Sequence, residues 1–90
     1  MLEVKIKVVN PLGLHARAAA QLVRLASSFK SRIILKRIDN AVIADAKSIL
    51  SVLTLAAAKG TYLELEIKGE DEQEALKVIE NIFVNGFGEI

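Results

Sequence analysis

Apolar and polar residues alternate from Leu2 to Val9, with Leu2, Val4, Ile6 and Val8 on one side and Glu3, Lys5 and Lys7 on the other. A period of two predicts a strand with one buried face. Asn10-Pro11-Leu12-Gly13 ends it, because Pro lacks a ladder donor and Gly permits a sharp turn. From Ala16 to Ser28 the period lengthens: Ala19, Leu22, Val23 and Ala26 form the stripe of an amphipathic helix. Two short β-type runs follow, Arg32 to Arg37 and Ala41 to Ala44, joined as a hairpin at Asp39-Asn40. Ser48 to Ala57 reads as a helix with Ser48 as its N-cap, stopped by Lys59-Gly60 with Gly60 at the left-handed position. Thr61 to Lys68 alternates again, with Leu63, Leu65 and Ile67 on one face. After a turn at Gly69, Asp71 is expected to cap a last helix and Glu74 to reach back. That helix carries Ala75, Leu76, Ile79, Ile82 and Phe83 on its apolar side.

The order is therefore β-α-β-β-α-β-α. Strands with one apolar face and helices with one stripe are satisfied together by a four-stranded antiparallel sheet with three helices on one face, an open-faced two-layer α+β sandwich. Ninety residues leave no room for a second core, and residues 1–90 are read as one domain. Aromatics are scarce at 4%, so Leu, Ile, Val and Ala must fill the interior.

Composition narrows the function classes. A net charge of +1 and the scarcity of stacking aromatics argue against nucleic-acid binding. The absence of cysteine excludes disulfides, zinc–thiolate sites and thiol nucleophiles, and suits a reducing cytoplasm. The longest apolar stretch, Ile49 to Ala58, is interrupted by Ser51 and Thr54 and falls well short of the ~20 residues that cross a bilayer. No metal or cofactor is implied.

The chemistry concentrates at Asn10 to Ala19. This segment places the chain's one histidine, His15, between a Gly-containing loop and a helix start. The first N–H groups of a helix have no internal partners and lie at the positive end of the peptide dipoles, so an anion beside His15 is stabilised. Arg17 adds a fixed charge and a fork of donors matched to phosphate. Ala16, Ala18 and Ala19 keep the surrounding surface low, so that a partner can close over it. A neutral imidazole is a good nucleophile, and its phosphoramidate passes the phosphoryl group on readily. A hydrolase with His15 as general base is the enzyme alternative. It would need a second catalytic group, and the sequence offers neither a cysteine nor a carboxylate pair near His15, nor a pocket.

The stretch Gly13-Leu14-His15-Ala16-Arg17-Ala18-Ala19 resembles the active-site segment of HPr, the histidine-containing phosphocarrier family of the bacterial phosphotransferase system. Ala46 to Leu53 resembles that family's regulatory serine segment, Ala56 to Gly60 the end of its second helix, and Gly86-Phe87-Gly88-Glu89 the ending of proteobacterial members. The resemblance spans essentially the whole chain. It implies a carrier, not a turnover enzyme, in which Nδ1 of His15 accepts phosphate from enzyme I and yields it to an EIIA-type acceptor. Arg17 and the backbone amides of Ala16 and Arg17 would hold the phosphoryl group. Ser48 matches the serine modified by HPr kinase/phosphorylase, and a phosphate there would sit well at a helix start. Leu50 and Leu53 would form an apolar docking patch, with Arg24 and Lys47 as a basic rim that steers acidic partners. The implied protein is a cytoplasmic monomer.

Three departures qualify that picture. Ala18 stands where most carriers have Pro, which tilts the reading from bulk sugar import toward nitrogen-related regulation. Ser51 replaces a usual Gly and adds bulk where a kinase would bind. The spacing from His15 to Ser48 is about two residues longer than usual, with the excess assigned to a longer hairpin around Lys36 to Val42. The competing reading is a regulatory module that controls a kinase, transporter or transcription factor through its phosphorylation state.

Overall fold

The computed structural model describes residues 1–89. Strands β1 (Leu2–Lys7), β2 (Arg32–Arg37), β3 (Ile43–Asp45) and β4 (Tyr62–Lys68) form one antiparallel sheet in the order β1-β4-β2-β3. Helices α1 (Ala16–Ser27), α2 (Ile49–Leu53) and α3 (Glu72–Val84) cover one face. The alternation read from the sequence sets the register. Val4, Leu65 and Leu35 stand side by side across three strands, as do Leu2, Ile67 and Ile33, and all six face the helices. The other face is a lattice of charge, in which Glu64 lies between Lys5 and Lys36. Those opposite charges at directly paired positions stabilise the solvated side, whereas Glu3 stands opposite Glu66.

Against the sheet pack Ala18, Ala19, Leu22 and Ala26 of α1, Val52 of α2, and Ala75, Ile79 and Phe83 of α3, all of them buried. Helix α1 also packs against α2 and α3, and its small residues leave aliphatic side chains to fill most of the core. This packing revises one expectation: Ala18 and Ala19 lie wholly in the core, so of the three alanines only Ala16 shapes the surface beside His15.

The connections depart from the sequence reading at three places. The β2–β3 hairpin turns over residues 38–42, with Ala41 and not Asn40 in the left-handed region (φ 60°). Its Ala41 N–H donates to the Arg37 carbonyl at 2.8 Å.

Helix α2 ends at Leu53, not at Ala57. Ala56 takes φ 48° and reverses the chain so that Leu55 and Ala57 both enter the core. The Arg37 guanidinium donates to the carbonyls of Leu55 (2.9 Å) and Ala56 (3.2 Å) while gripping Asp39 with two bonds. Those carbonyls would otherwise be orphans at a helix end. Gly60 is left-handed as expected (φ 94°), but it serves the turn into β4, where its N–H bonds the Val8 carbonyl at 2.7 Å.

Asp71 occupies the N-cap position of α3 without bonding that helix through its side chain. Its carboxylate instead accepts from the backbone N–H of Lys30 and Ser31 (2.9 Å each) and from the Ser31 hydroxyl (2.5 Å). Reaching back falls to Glu72, which accepts from Gly69 N–H at 3.0 Å, and not to Glu74. The tertiary partner wins because Ser31 is buried and its polar atoms must be satisfied there.

Two outcomes test this arrangement. Leu65 lies fully buried on a central strand, and Leu65→Ala should cost about 2–5 kcal/mol in chemical denaturation. The Ser31 hydroxyl, followed by the Lys30 amide, lowers the Asp71 carboxyl from 3.8 to about 2. A carboxyl depressed on folding stabilises above its unfolded value, and that contribution is lost as pH falls through the folded value. The melting-temperature gap between wild type and Asp71→Asn should therefore be constant above about pH 5 and close as pH falls toward 2.

Candidate functional site

The turn before α1 is set by a close backbone approach. Gly13 N–H bonds the Asn10 carbonyl at 3.1 Å, and Leu14 N–H bonds the Ala57 carbonyl at 2.9 Å. Gly13 is left-handed (φ +66°), and a Cβ there would lie 2.4 Å from the Ala57 oxygen and 2.9 Å from Ala58 Cα. Only glycine satisfies both constraints. Leu14 is drawn into the core, and His15 follows as the extended N-cap residue of α1 (φ −71°, ψ 177°). The His15 carbonyl accepts from Ala19 N–H at 2.8 Å, which leaves the amides of Ala16, Arg17 and Ala18 pointing out of the helix end. The first turn contains no acidic residue to oppose an anion.

The sequence offered no carboxylate pair near His15. The fold supplies one carboxylate from 74 positions away, because His15 Nε2 makes a short contact with Glu89 Oε2. Three successive left-handed residues, Gly86 (φ 58°), Phe87 (φ 55°) and Gly88 (φ 76°), wind the tail back toward α1. A left-handed phenylalanine costs about 1–2 kcal/mol. Burial offsets it: Phe87 is 4% exposed and packs edge-on to Phe83, with ring centroids 5.0 Å apart. The other Glu89 oxygen accepts from Asn10 Nδ2 at 3.1 Å, and the same nitrogen donates to the Gly13 carbonyl at 2.7 Å. The Asn10 amide and then the imidazole hold the Glu89 carboxyl below its ordinary value, with the Arg17 charge helping.

An ionised carboxylate can only accept. The contact therefore calls for an N–H on Nε2, and in the neutral ring that leaves the lone pair on Nδ1. Pro11, Leu12, His15, Arg17 and Glu89 line an open depression of about 380 Å³, with Leu12 71% exposed at its rim. It is a surface that another protein can cover, and it does not enclose a small molecule. No cluster of metal-ligating side chains occurs among the described residues.

Ser48 caps α2 as expected, its hydroxyl accepting from Ser51 N–H at 3.3 Å. The Ser51 hydroxyl does not project as bulk; it accepts from Asp45 N–H at 2.9 Å and ties α2 to β3. Helix α2 packs against α1 and presents Leu50 (74% exposed), Leu53 and Ile49 outward. Arg24 is exposed on α1, whereas the Lys47 ammonium is engaged by the Phe29 carbonyl at 2.7 Å. Leu12, Asn10 and Glu89 are the site residues that the sequence reading missed. Only the tail pattern Gly86-Phe87-Gly88-Glu89 hinted at the last of them.

A family model described as the PTS HPr component phosphorylation site matches residues 2–85. The phosphocarrier protein HPr of Neisseria meningitidis serogroup A is 44% identical over 89 residues, covering 99% of this chain and 98% of its own. The phosphocarrier protein NPr of Escherichia coli K12 is 37% identical over 93% of this chain and 92% of its own. The crystal structure of HPr-C-His from Thermoanaerobacter tengcongensis superposes with a TM-score of 0.94 at 38% identity, covering 100% of this chain and 99% of that one. The chain belongs to the HPr family of phosphocarrier proteins of the phosphotransferase system.

The geometry at Gly13 gives a direct test. Gly13→Ala should destabilise by more than the ~1–2 kcal/mol of a left-handed alanine, because the clash with Ala57 adds to it. Urea denaturation reads the loss.

Proposed function

We propose that this protein carries phosphoryl groups between proteins in the cytoplasm, as a monomer of one domain, on Nδ1 of His15. The observation that carries the reading is the placement of the imidazole. Glu89 engages Nε2, the free nitrogen belongs to an N-cap residue, and the site lies open beside Arg17. Nδ1 attacks the phosphorus of phospho-enzyme I and later yields the phosphoryl group to an EIIA-type acceptor. The amides of Ala16 and Arg17 and the Arg17 guanidinium stabilise the group while it resides there.

Partners dock on Leu50 and Leu53, with Leu12 exposed at the site itself and Arg24 and Lys47 at the rim. A flat apolar face beside a single nucleophile suits repeated, transient association with several partners. Ser48 is the regulatory position, modified by an HPr kinase/phosphorylase. A phosphate on its hydroxyl keeps an acceptor near Ser51 N–H and adds negative charge beside the docking leucines.

Incubation with enzyme I and phosphoenolpyruvate should give an acid-labile phosphate on the wild type and none on His15→Ala. Label that survives His15→Ala would overturn the assignment. Leu50→Glu should leave the fold intact, given its exposure, and weaken enzyme I binding at least about tenfold, the effect of ~1.4 kcal/mol. Calorimetric titration measures it.

A further inference from the structure

Resting on the carrier reading, we propose that Asn10 and Glu89 form a positioning pair that keeps a proton on Nε2 of His15 before and after phosphorylation, so that the phosphoryl group moves without any proton transfer. Asn10 is fully buried. Its two amide bonds, to the Gly13 carbonyl and to Glu89, fix its orientation, since a flipped amide would set its oxygen against two acceptors. In that orientation its own oxygen is buried with no partner among the described residues. An unsatisfied buried acceptor is costly. The cost is intelligible if the amide is retained for what its nitrogen does. That one nitrogen joins the turn presenting His15 to the tail carboxylate that grips the ring.

The tail supports the same contact, since a run of three left-handed residues anchored by a buried Phe87 brings Glu89 to Nε2. The charged groups about the ring are Glu89 from the tail and Arg17 from α1. Pro11 and Leu12, from the turn, bring none.

The chemistry balances simply. The Nδ1 lone pair forms a bond to phosphorus as the bond from phosphorus to the donor protein's phosphohistidine nitrogen breaks, its electron pair returning to the donor ring. The His15 ring then holds both the Nδ1–P bond and the Nε2–H, with a positive charge facing Glu89. On onward transfer the Nδ1–P bond breaks, the pair returns to Nδ1, and a neutral imidazole leaves. Were the Nε2 proton lost in between, the leaving group would be an imidazolide anion, and transfer would be slow. Glu89 keeps the labile form populated, and Asn10 keeps Glu89 in place.

Two measurements test the pair without enzyme I. Nitrogen-15 NMR of the unphosphorylated protein should show an Nε2–H ring in the wild type. Glu89→Ala, and to a lesser degree Asn10→Ala, should shift both ring nitrogens toward the tautomer mixture of free imidazole. Identical shifts in wild type and Glu89→Ala would sink the proposal. Glu89→Ala suffices if Asn10→Ala does not fold.

Next, the ring is loaded with phosphoramidate and phosphate loss is followed by phosphorus-31 NMR. Glu89→Ala should lose phosphate about threefold more slowly than wild type at alkaline pH, and at the same rate in acid, where solvent supplies the proton to either ring. A change of equal size at both pH values would mean a merely structural effect and overturn the assignment. A wild type that passes both tests but takes no phosphate from enzyme I would overturn the carrier reading and leave the positioning pair standing.

Discussion

The backbone contact between Gly13 and Ala57–Ala58 is the constraint on which the site depends. At that point the start of α1 and the strand-like segment after α2 touch main chain to main chain, with no space for a side chain. The contact fixes where α1 begins, which residue becomes its N-cap, and therefore where His15 stands. It also requires α2 to stop early. The left-handed Ala56 breaks the helical path and turns the Ala57 carbonyl toward Leu14. Arg37 then satisfies the carbonyls that the shortened helix leaves exposed.

Two further long-range ties hold the helical layer in register with the site. The Asp71 carboxylate joins the start of α3 to the loop after α1, and Phe87 locks the tail under α3 against Phe83. Both exchange a local rule for a tertiary gain: Asp71 forgoes its own helix, and Phe87 accepts a conformation that favours glycine. The reason is the same in each case. A buried hydroxyl and a buried aromatic ring are worth more than a local cap or an unstrained torsion.

Around His15 the charges are few and ordered. One cation lies at a helix start free of acidic residues, and one carboxylate lies on the opposite ring nitrogen. That separation distinguishes the two ring nitrogens, since only Nε2 meets a carboxylate. A depression too open to enclose a metabolite, with exposed Leu12 at its rim, suits contact with another protein.

The sequence by itself determined the sheet, the order of elements, the side of each strand that faces the core, and His15 with Arg17 at a helix start. These rest on local periodicity and local turn chemistry, which neighbours in the chain decide. Ser48 as a cap was legible for the same reason. The end of α2, the partner of Asp71, the hydroxyl of Ser51 turned to Asp45 and above all Glu89 against His15 were decided only by tertiary structure. Each depends on which distant backbone or side chain arrives at the same place, and an amphipathic pattern carries no record of that. Glu89 is the clearest case: its neighbours announce a turn, but only a buried Phe87 determines where the turn delivers its carboxylate.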